Sequence, residues 1–189
     1  TFQGSGGRFM DIGFYLPVQW FDRNRHAVEL YREMIEQAKL AEDLGCSSLQ
    51  IPEHHFIDYL VHPSALLTSV RVAAETKRIP LVTAVLVLPF RDMRVLAGEV
   101  AQTDCLTEGR LQIGVGRGAF GYEFGRLGVP VEESRERFDE ALEVLSALLS
   151  REEVSWDSKH YKFAPLTITP RPLQQPHPPI WMAALTPPA

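Results

Sequence analysis

The sequence predicts a parallel α/β fold of the (β/α)8 TIM-barrel type, with about the first five strands present in this chain. Apolar segments alternate with segments of helical periodicity along the chain, as in βαβ units. The apolar run at 79–88 is continuous rather than alternating, which is typical of strands covered on both faces. A complete barrel needs about 250 residues, whereas this chain has 189. We therefore favour part of a barrel over an open, doubly wound sheet.

The individual elements follow from apolar runs, helical spacing and terminators. Gly45 ends the first helix, Pro63 lies near the first turn of the second, and Asp92 is placed to cap the third. Eight of the 14 prolines fall from residue 165 onward, which predicts extended loop there. The predicted strands cover residues 11–18, 46–51, 79–88, 111–115 and 179–184. The predicted helices cover residues 26–44, 64–76, 93–106 and 134–149.

Composition excludes several classes of protein. The formal net charge of −5 argues against a nucleic-acid partner. No apolar run approaches the roughly 20 residues that span a bilayer, so no membrane association is expected. Cys46 and Cys105 show neither zinc-ligand spacing nor a disulfide framework, which favours a reducing, cytoplasmic location. We interpret residues 1–9 as the remnant of a cleaved tag and residues 10–189 as one domain.

The carboxyl ends of the predicted strands carry polar residues suited to a functional site. Glu53, His54 and His55 follow the second strand, and a Gly-Arg-Gly segment at 116–118 follows the fourth. Adjacent strand residues point to opposite faces, so consecutive histidines do not readily ligate one ion, and we expect no metal site. An imidazole here can act as a hydrogen-bond donor or base. For His55, a purely structural hydrogen bond is an equal alternative.

A phosphate pocket is the second prediction at this rim. Glycines allow close backbone approach, and Arg117 can bind a phosphate through two parallel hydrogen bonds. Arg135 adds a second cation at the start of a predicted helix, where anions are favoured. The alternative for Arg135 is a set of surface salt bridges, because Glu132, Glu133, Glu136 and Glu140 surround it.

Four motifs together resemble the bacterial luciferase-like flavin-dependent monooxygenase family. They are the Glu-His-His-Phe segment at 53–56, the apolar run at 83–89, the Gly-rich segment at 109–118 and the helix start at 134–135. The resemblance extends from residue 10 to residue 189, in order and with similar spacing. Gly116 stands where the luciferases carry a cysteine, so the resemblance does not extend to light emission.

The resemblance implies an oxidoreductase that uses reduced FMN and O2 on a small organic substrate, with a separate flavin reductase. His54 matches the catalytic histidine beside the flavin, and Glu53 is expected to orient that imidazole or touch the ring. The peptide between Ala84 and Val85 matches one that is often cis in the family. Motifs and resemblance together predict these cofactor-binding residues: Ala84, Val85, Gly116, Arg117, Gly118, Ala119, Phe120, Arg135 and Thr186.

Two other functions share this fold. One is hydride transfer with the deazaflavin coenzyme F420, and the other is non-catalytic flavin binding. The resemblance also implies a homodimer formed through the second and third helices. Apolar spacing in the second helix is compatible with such an interface and equally with core packing. The residues concerned are Leu66, Leu67, Val70, Ala73 and Ala74.

Overall fold

The computed structural model describes residues 2–3 and 9–184, and within them a parallel sheet forms the centre of the fold. Its strand order is β10-β7-β5-β4-β3, and each neighbouring pair is parallel. A short additional strand, β6, also pairs with β7. The sheet strands are β3 (Gly13–Tyr15), β4 (Ser48–Ile51), β5 (Leu81–Thr83), β6 (Leu86–Val87), β7 (Leu111–Gly116) and β10 (Ile180–Met182).

Two antiparallel pairs lie outside this sheet. Strand β1 (Phe2–Gln3) pairs with β2 (Phe9–Met10), at the segment interpreted above as a tag remnant. Strand β8 (Val154–Asp157) pairs with β9 (Lys162–Leu166).

Three helices begin after residues whose side chains cap them, at His26, Ser64 and Asp92. Each of these side chains accepts a hydrogen bond from a backbone N–H of the first turn, which confirms Asp92 as a cap. The helices are α1 (Ala27–Asp43), α2 (Ala65–Ala73), α3 (Met93–Leu106), α4 (Gly121–Leu127) and α5 (Ser134–Ser150).

Burial on both faces, predicted for the apolar run at 79–88, holds for β6 but not for β4 and β5, where buried and half-buried residues alternate. Leu111, Ile113 and Val115 of β7 are completely inaccessible, and so are Leu49 and Ile51 of β4. Helices pack around the sheet, and the carboxyl ends of the parallel strands share one rim. Functional groups that follow these strands are therefore brought together.

The structure differs from the predicted elements around residues 79–90 and 121–127. The predicted strand over 79–88 is divided into β5 and β6, and a 3-10 turn, Leu88–Phe90, follows. The division falls at Ala84–Val85, whose peptide is cis, as the resemblance implied. Helix α4 was not predicted, because its segment begins with a glycine-rich run that disfavours helix.

Candidate active site

A cavity of about 270 Å³ opens at the rim, where β4, β6, β7 and β10 end. Nine predicted site residues line it: Glu53, His54, Ala84, Val85, Gly116, Arg117, Gly118, Ala119 and Arg135. The remaining lining residues are Val87, Glu123, Phe138, Asp139, Met182, Ala183 and Ala184. Of the other predictions, His55 and Phe120 lie outside the lining, and Thr186 lies outside the described residues.

His54 is oriented by a carboxylate that sequence analysis missed. Its Nδ1 lies 3.4 Å from Oε1 of Glu123, and the same oxygen accepts the backbone N–H of His55 at 2.7 Å. The Glu123 side chain is only 2% exposed. Phe120 contacts the His54 ring edge-on, with centroids 5.2 Å apart. A buried carboxylate therefore fixes one imidazole nitrogen, and the ring lies against an aromatic wall.

Glu53 was expected to orient the His54 imidazole, but its carboxylate contacts other residues. The buried Glu53 carboxylate instead accepts a hydrogen bond from Arg91 Nη2 at 2.7 Å and lies 3.4 Å from His55 Nε2. Arg91 follows the 3-10 turn after β6, so Glu53 connects two strand ends. A buried carboxylate needs a charged or hydrogen-bonding partner, and Arg91 provides it. The hydrogen-bonding alternative considered for His55 thus agrees with its position.

A second imidazole lies behind His54. His62 is completely buried, and its carbonyl oxygen accepts the His54 backbone N–H at 2.9 Å. Burial lowers the pKa of His62 to about 4. Among the described residues neither ring nitrogen has a hydrogen-bond partner. His62 is therefore neutral at pH 7, and it supports the His54 backbone from the core.

Two guanidiniums lie at the same cavity. Arg117 and Arg135 both line it, and neither forms an ion pair with a carboxylate among the described residues. The salt-bridge alternative for Arg135 is not realised there, because it is Arg137 that pairs with Glu133, at 2.8 Å. Two guanidiniums on one cavity attract an anionic group, and Arg can bind phosphate through two hydrogen bonds.

Gly116 allows the side chain of Val85 to pack directly against the backbone of β7 at the cavity wall. A Cβ atom there would lie 2.6 Å from Cγ2 of Val85, closer than two carbon atoms approach. Gly118 has a φ of +89°, which favours glycine, and its α-carbon faces the ring of Phe124. The two glycines let β7 and its following loop pass close to Val85 and α4.

Parallel strands that gather an imidazole, two guanidiniums and glycine backbone at their carboxyl ends define a barrel-type α/β protein with its ligand site at that rim. The chain belongs to the luciferase-like monooxygenase family, whose model matches residues 10–189. The predicted family and the TIM-barrel type of fold are both confirmed.

Relatives and solved structures agree with this assignment. The oxygenase component of a flavin-dependent trigonelline monooxygenase from Acinetobacter baylyi is 35% identical over 180 residues, or 94% of this chain and 50% of that protein. A monooxygenase from Streptomyces bottropensis superposes with a TM-score of 0.89 at 33% identity, covering 93% of this chain and 54% of that one. An FMN complex of the oxygenating constituent of 3,6-diketocamphane monooxygenase from Pseudomonas putida shares the fold, with a TM-score of 0.81 at 21% identity over 92% of this chain and 51% of that one. The chain thus spans about half the length of the relatives it matches.

The described residues contain neither a membrane-spanning helix nor a cluster of metal-ligating side chains. No helix in residues 2–3 and 9–184 is both long and apolar enough to cross a bilayer. Within the same ranges, no three side chains of His, Cys, Asp or Glu are grouped closely enough to hold a metal ion.

Proposed function

We propose that the protein is a flavin-dependent monooxygenase that uses reduced FMN and O2 on a small organic substrate. The observation that carries this proposal is the cavity that joins His54 to the unpaired guanidiniums of Arg117 and Arg135. An imidazole at one wall and two cations at another suit a planar ring system with an anionic tail. Family membership supports the same proposal.

The residues present fit FMN in their chemistry. Arg117 and Arg135 would hold the phosphate, because both guanidiniums lack a carboxylate partner among the described residues. Ala84, Val85 and the glycine backbone at 116 and 118 would face the ring system, because they form an apolar, closely approachable wall. Ala119 lines the same cavity. When bound, reduced FMN supplies the electrons that activate O2.

The catalytic role is assigned to His54, with Glu123 as its positioning residue. Glu123 holds Nδ1, which leaves Nε2 as the nitrogen able to donate or accept a proton in the cavity. Glu53 and His55 were predicted as catalytic. We instead propose a positioning role for both, because the Glu53 carboxylate binds Arg91 and contacts the His55 ring. Exclusion of water from the rim would limit side reactions.

An anaerobic titration tests the proposal against the F420 alternative. That alternative rests on a similar fold in two F420-dependent enzymes, whose sequences are 18% and 22% identical to this chain. The protein is titrated with reduced FMN and with reduced F420, and binding is followed by absorbance. We expect saturation by reduced FMN, then faster flavin oxidation in wild type than in His54→Ala when O2 is admitted. Preferential binding of F420 would establish the alternative, and flavin binding without any effect of His54→Ala would support a non-catalytic protein.

A flavin reductase, a homodimer and a cytoplasmic location complete the proposal. The reductase is expected because one relative is named as an oxygenase component. For the homodimer, Leu66 and Ala73 are buried in the core and cannot form an interface. Leu67 is 72% exposed, and Val70 and Ala74 follow it on the same face of α2. The cytoplasmic location is supported by two free cysteines.

A further inference from the structure

A second cavity, of about 510 Å³, lies next to the proposed flavin site and is here named the aromatic cleft. It is formed by the loops that follow β3 and β4 and by one face of α4. Its lining residues are Trp20, Arg23, Phe56, Ile57, Asp58, Val61, Tyr122 and Arg126. Three aromatic rings and two guanidiniums therefore surround one opening at the rim of the sheet.

The Trp20 side of the cleft is held in place by hydrogen bonds. The indole Nε1–H donates to the carbonyl of Arg25 at 2.9 Å, and the Trp20 backbone N–H donates to the carbonyl of Asp58 at 2.9 Å. The Arg23 guanidinium lies 4.5 Å from the centre of the indole ring and forms an ion pair with Asp58. This arrangement fixes the indole, covers one of its faces with the Arg23 guanidinium, and neutralises the charge of Arg23.

The Tyr122 side of the cleft carries an uncompensated cation. Arg126 lies one helical turn after Tyr122 in α4, and its Cζ is 5.4 Å from the centre of the tyrosine ring. Its Nη1 donates to the carbonyl of Phe56 at 3.3 Å, and no carboxylate among the described residues pairs with it. The buried Tyr122 hydroxyl also has no hydrogen-bond partner in that part of the chain. The cleft thus offers aromatic side chains and a guanidinium, whereas the buried Tyr122 hydroxyl is not accessible to a ligand.

We propose that the aromatic cleft binds a planar organic acid, with its ring against the aromatic side chains and its carboxylate on Arg126. Contact with the aromatic side chains of Trp20, Phe56 and Tyr122 favours a flat ring, and a guanidinium without a carboxylate partner among the described residues selects an anion. The cleft is also close to His54. The ring of Phe120 lies between them, with its centroid 5.7 Å from that of Tyr122 and 5.2 Å from that of His54. Resting on the proposed function, the inference assigns the substrate to the class of aromatic or heteroaromatic carboxylic acids.

The test is equilibrium binding of three probes to the full chain without flavin. Benzoate is planar and anionic, benzamide is planar and neutral, and cyclohexanecarboxylate is anionic and not aromatic. Binding is followed by quenching of tryptophan fluorescence. We expect saturable quenching by benzoate, at least about tenfold weaker binding of the other two probes, and loss of the signal in Trp20→Phe.

Variants of Arg126 make the test specific. Arg126→Gln should weaken benzoate binding by about tenfold or more and leave benzamide binding unchanged, and Arg126→Lys should be intermediate. Arg151→Gln, at the exposed C-terminal cap of α5, is the matched control and should bind benzoate like wild type. Equal binding of benzoate and benzamide, or benzoate binding unaffected by Arg126→Gln, would overturn the proposal.

A parallel FMN titration separates the two proposals. Arg126 does not line the flavin cavity, so Arg126→Gln should bind FMN with wild-type affinity. If wild type binds benzoate but not FMN, the proposed function fails and the cleft stands. If it binds FMN but not benzoate, the cleft proposal fails and the proposed function stands.

Discussion

Replacement of Gly116 by alanine should destabilise the protein through one identifiable contact. The new methyl carbon would lie 2.6 Å from Cγ2 of Val85, whereas nonpolar carbon atoms prefer about 3.5–4.0 Å. Val85 therefore has to retreat by about 1 Å or the backbone of β7 has to shift. Overpacking of this kind costs about 1–3 kcal/mol in the free energy of unfolding. Because Val85 lines the proposed flavin cavity, FMN affinity should fall as well.

A double-mutant cycle identifies the cause. Val85→Ala removes Cγ2, and the nearest remaining neighbours of an alanine at 116 are the Cβ of residue 85 at 3.5 Å and that of Ala183 at 3.8 Å, both ordinary contacts. Gly116→Ala should therefore cost little when Val85→Ala is already present. The free energies of unfolding then give a coupling of about 1–3 kcal/mol between the two substitutions. Unfolding in urea, followed by circular dichroism, measures all four proteins.

A glycine without neighbours provides the control. Gly98 lies inside α3, and a Cβ there would meet no atom within 4 Å. Gly98→Ala should therefore stabilise the protein by up to about 1 kcal/mol through helix propensity. The steric explanation would be refuted if Gly116→Ala were equally costly with and without Val85→Ala, or if it were no more costly than Gly98→Ala.

Three further predictions concern stability and assembly. The native pKa of His62 is about 4 and its ordinary value is 6.5, so between these pH values only the unfolded chain gains the proton. The free energy of unfolding should fall by about 3 kcal/mol on this account as the pH drops from 6.5 to 4, and His62→Phe should lose this part of the pH dependence in urea titrations. Arg91→Met leaves the buried Glu53 carboxylate with only the longer contact to His55 and should cost about 3–5 kcal/mol, whereas Arg94→Met removes an exposed pair and should cost under about 1 kcal/mol. Equal costs in thermal or urea unfolding would contradict the burial argument. Leu67→Glu should convert the proposed homodimer to a monomer in sedimentation velocity, and an unchanged sedimentation coefficient would exclude this face of α2.

The main sheet could be predicted because short apolar segments alternate with segments of helical periodicity along the chain. Burial on both faces, as in β7, leaves a clear pattern in the sequence. The strand over 79–88 was predicted as one piece because residues on both sides of the break are equally apolar. Only the resemblance to a family pointed to the cis peptide at Ala84–Val85.

The residues of the candidate site that follow strands could be predicted from the sequence. The residue that reaches the site through a tertiary contact, Glu123, was missed. His54 and Arg117 come together because strand ends share one rim, and the start of α5 brings Arg135 to the same cavity. Glu123 was missed because it lies in α4, a short helix with glycines at 121 and 125 whose intrinsic propensity is low. The available signal was an acidic residue in the first turn of a segment that follows a strand and a glycine-rich loop.

The most direct test of the account compares FMN with riboflavin, which lacks the phosphate. Affinities are measured by flavin fluorescence for wild type, Arg117→Ala, Arg135→Ala and the control Arg151→Ala. We predict that wild type and the control bind FMN more tightly than riboflavin by about 1.5–3 kcal/mol or more, and that each site variant loses much of this preference while its riboflavin affinity is unchanged. Equal affinity of wild type for the two flavins, or a preference untouched in both site variants, would contradict the account.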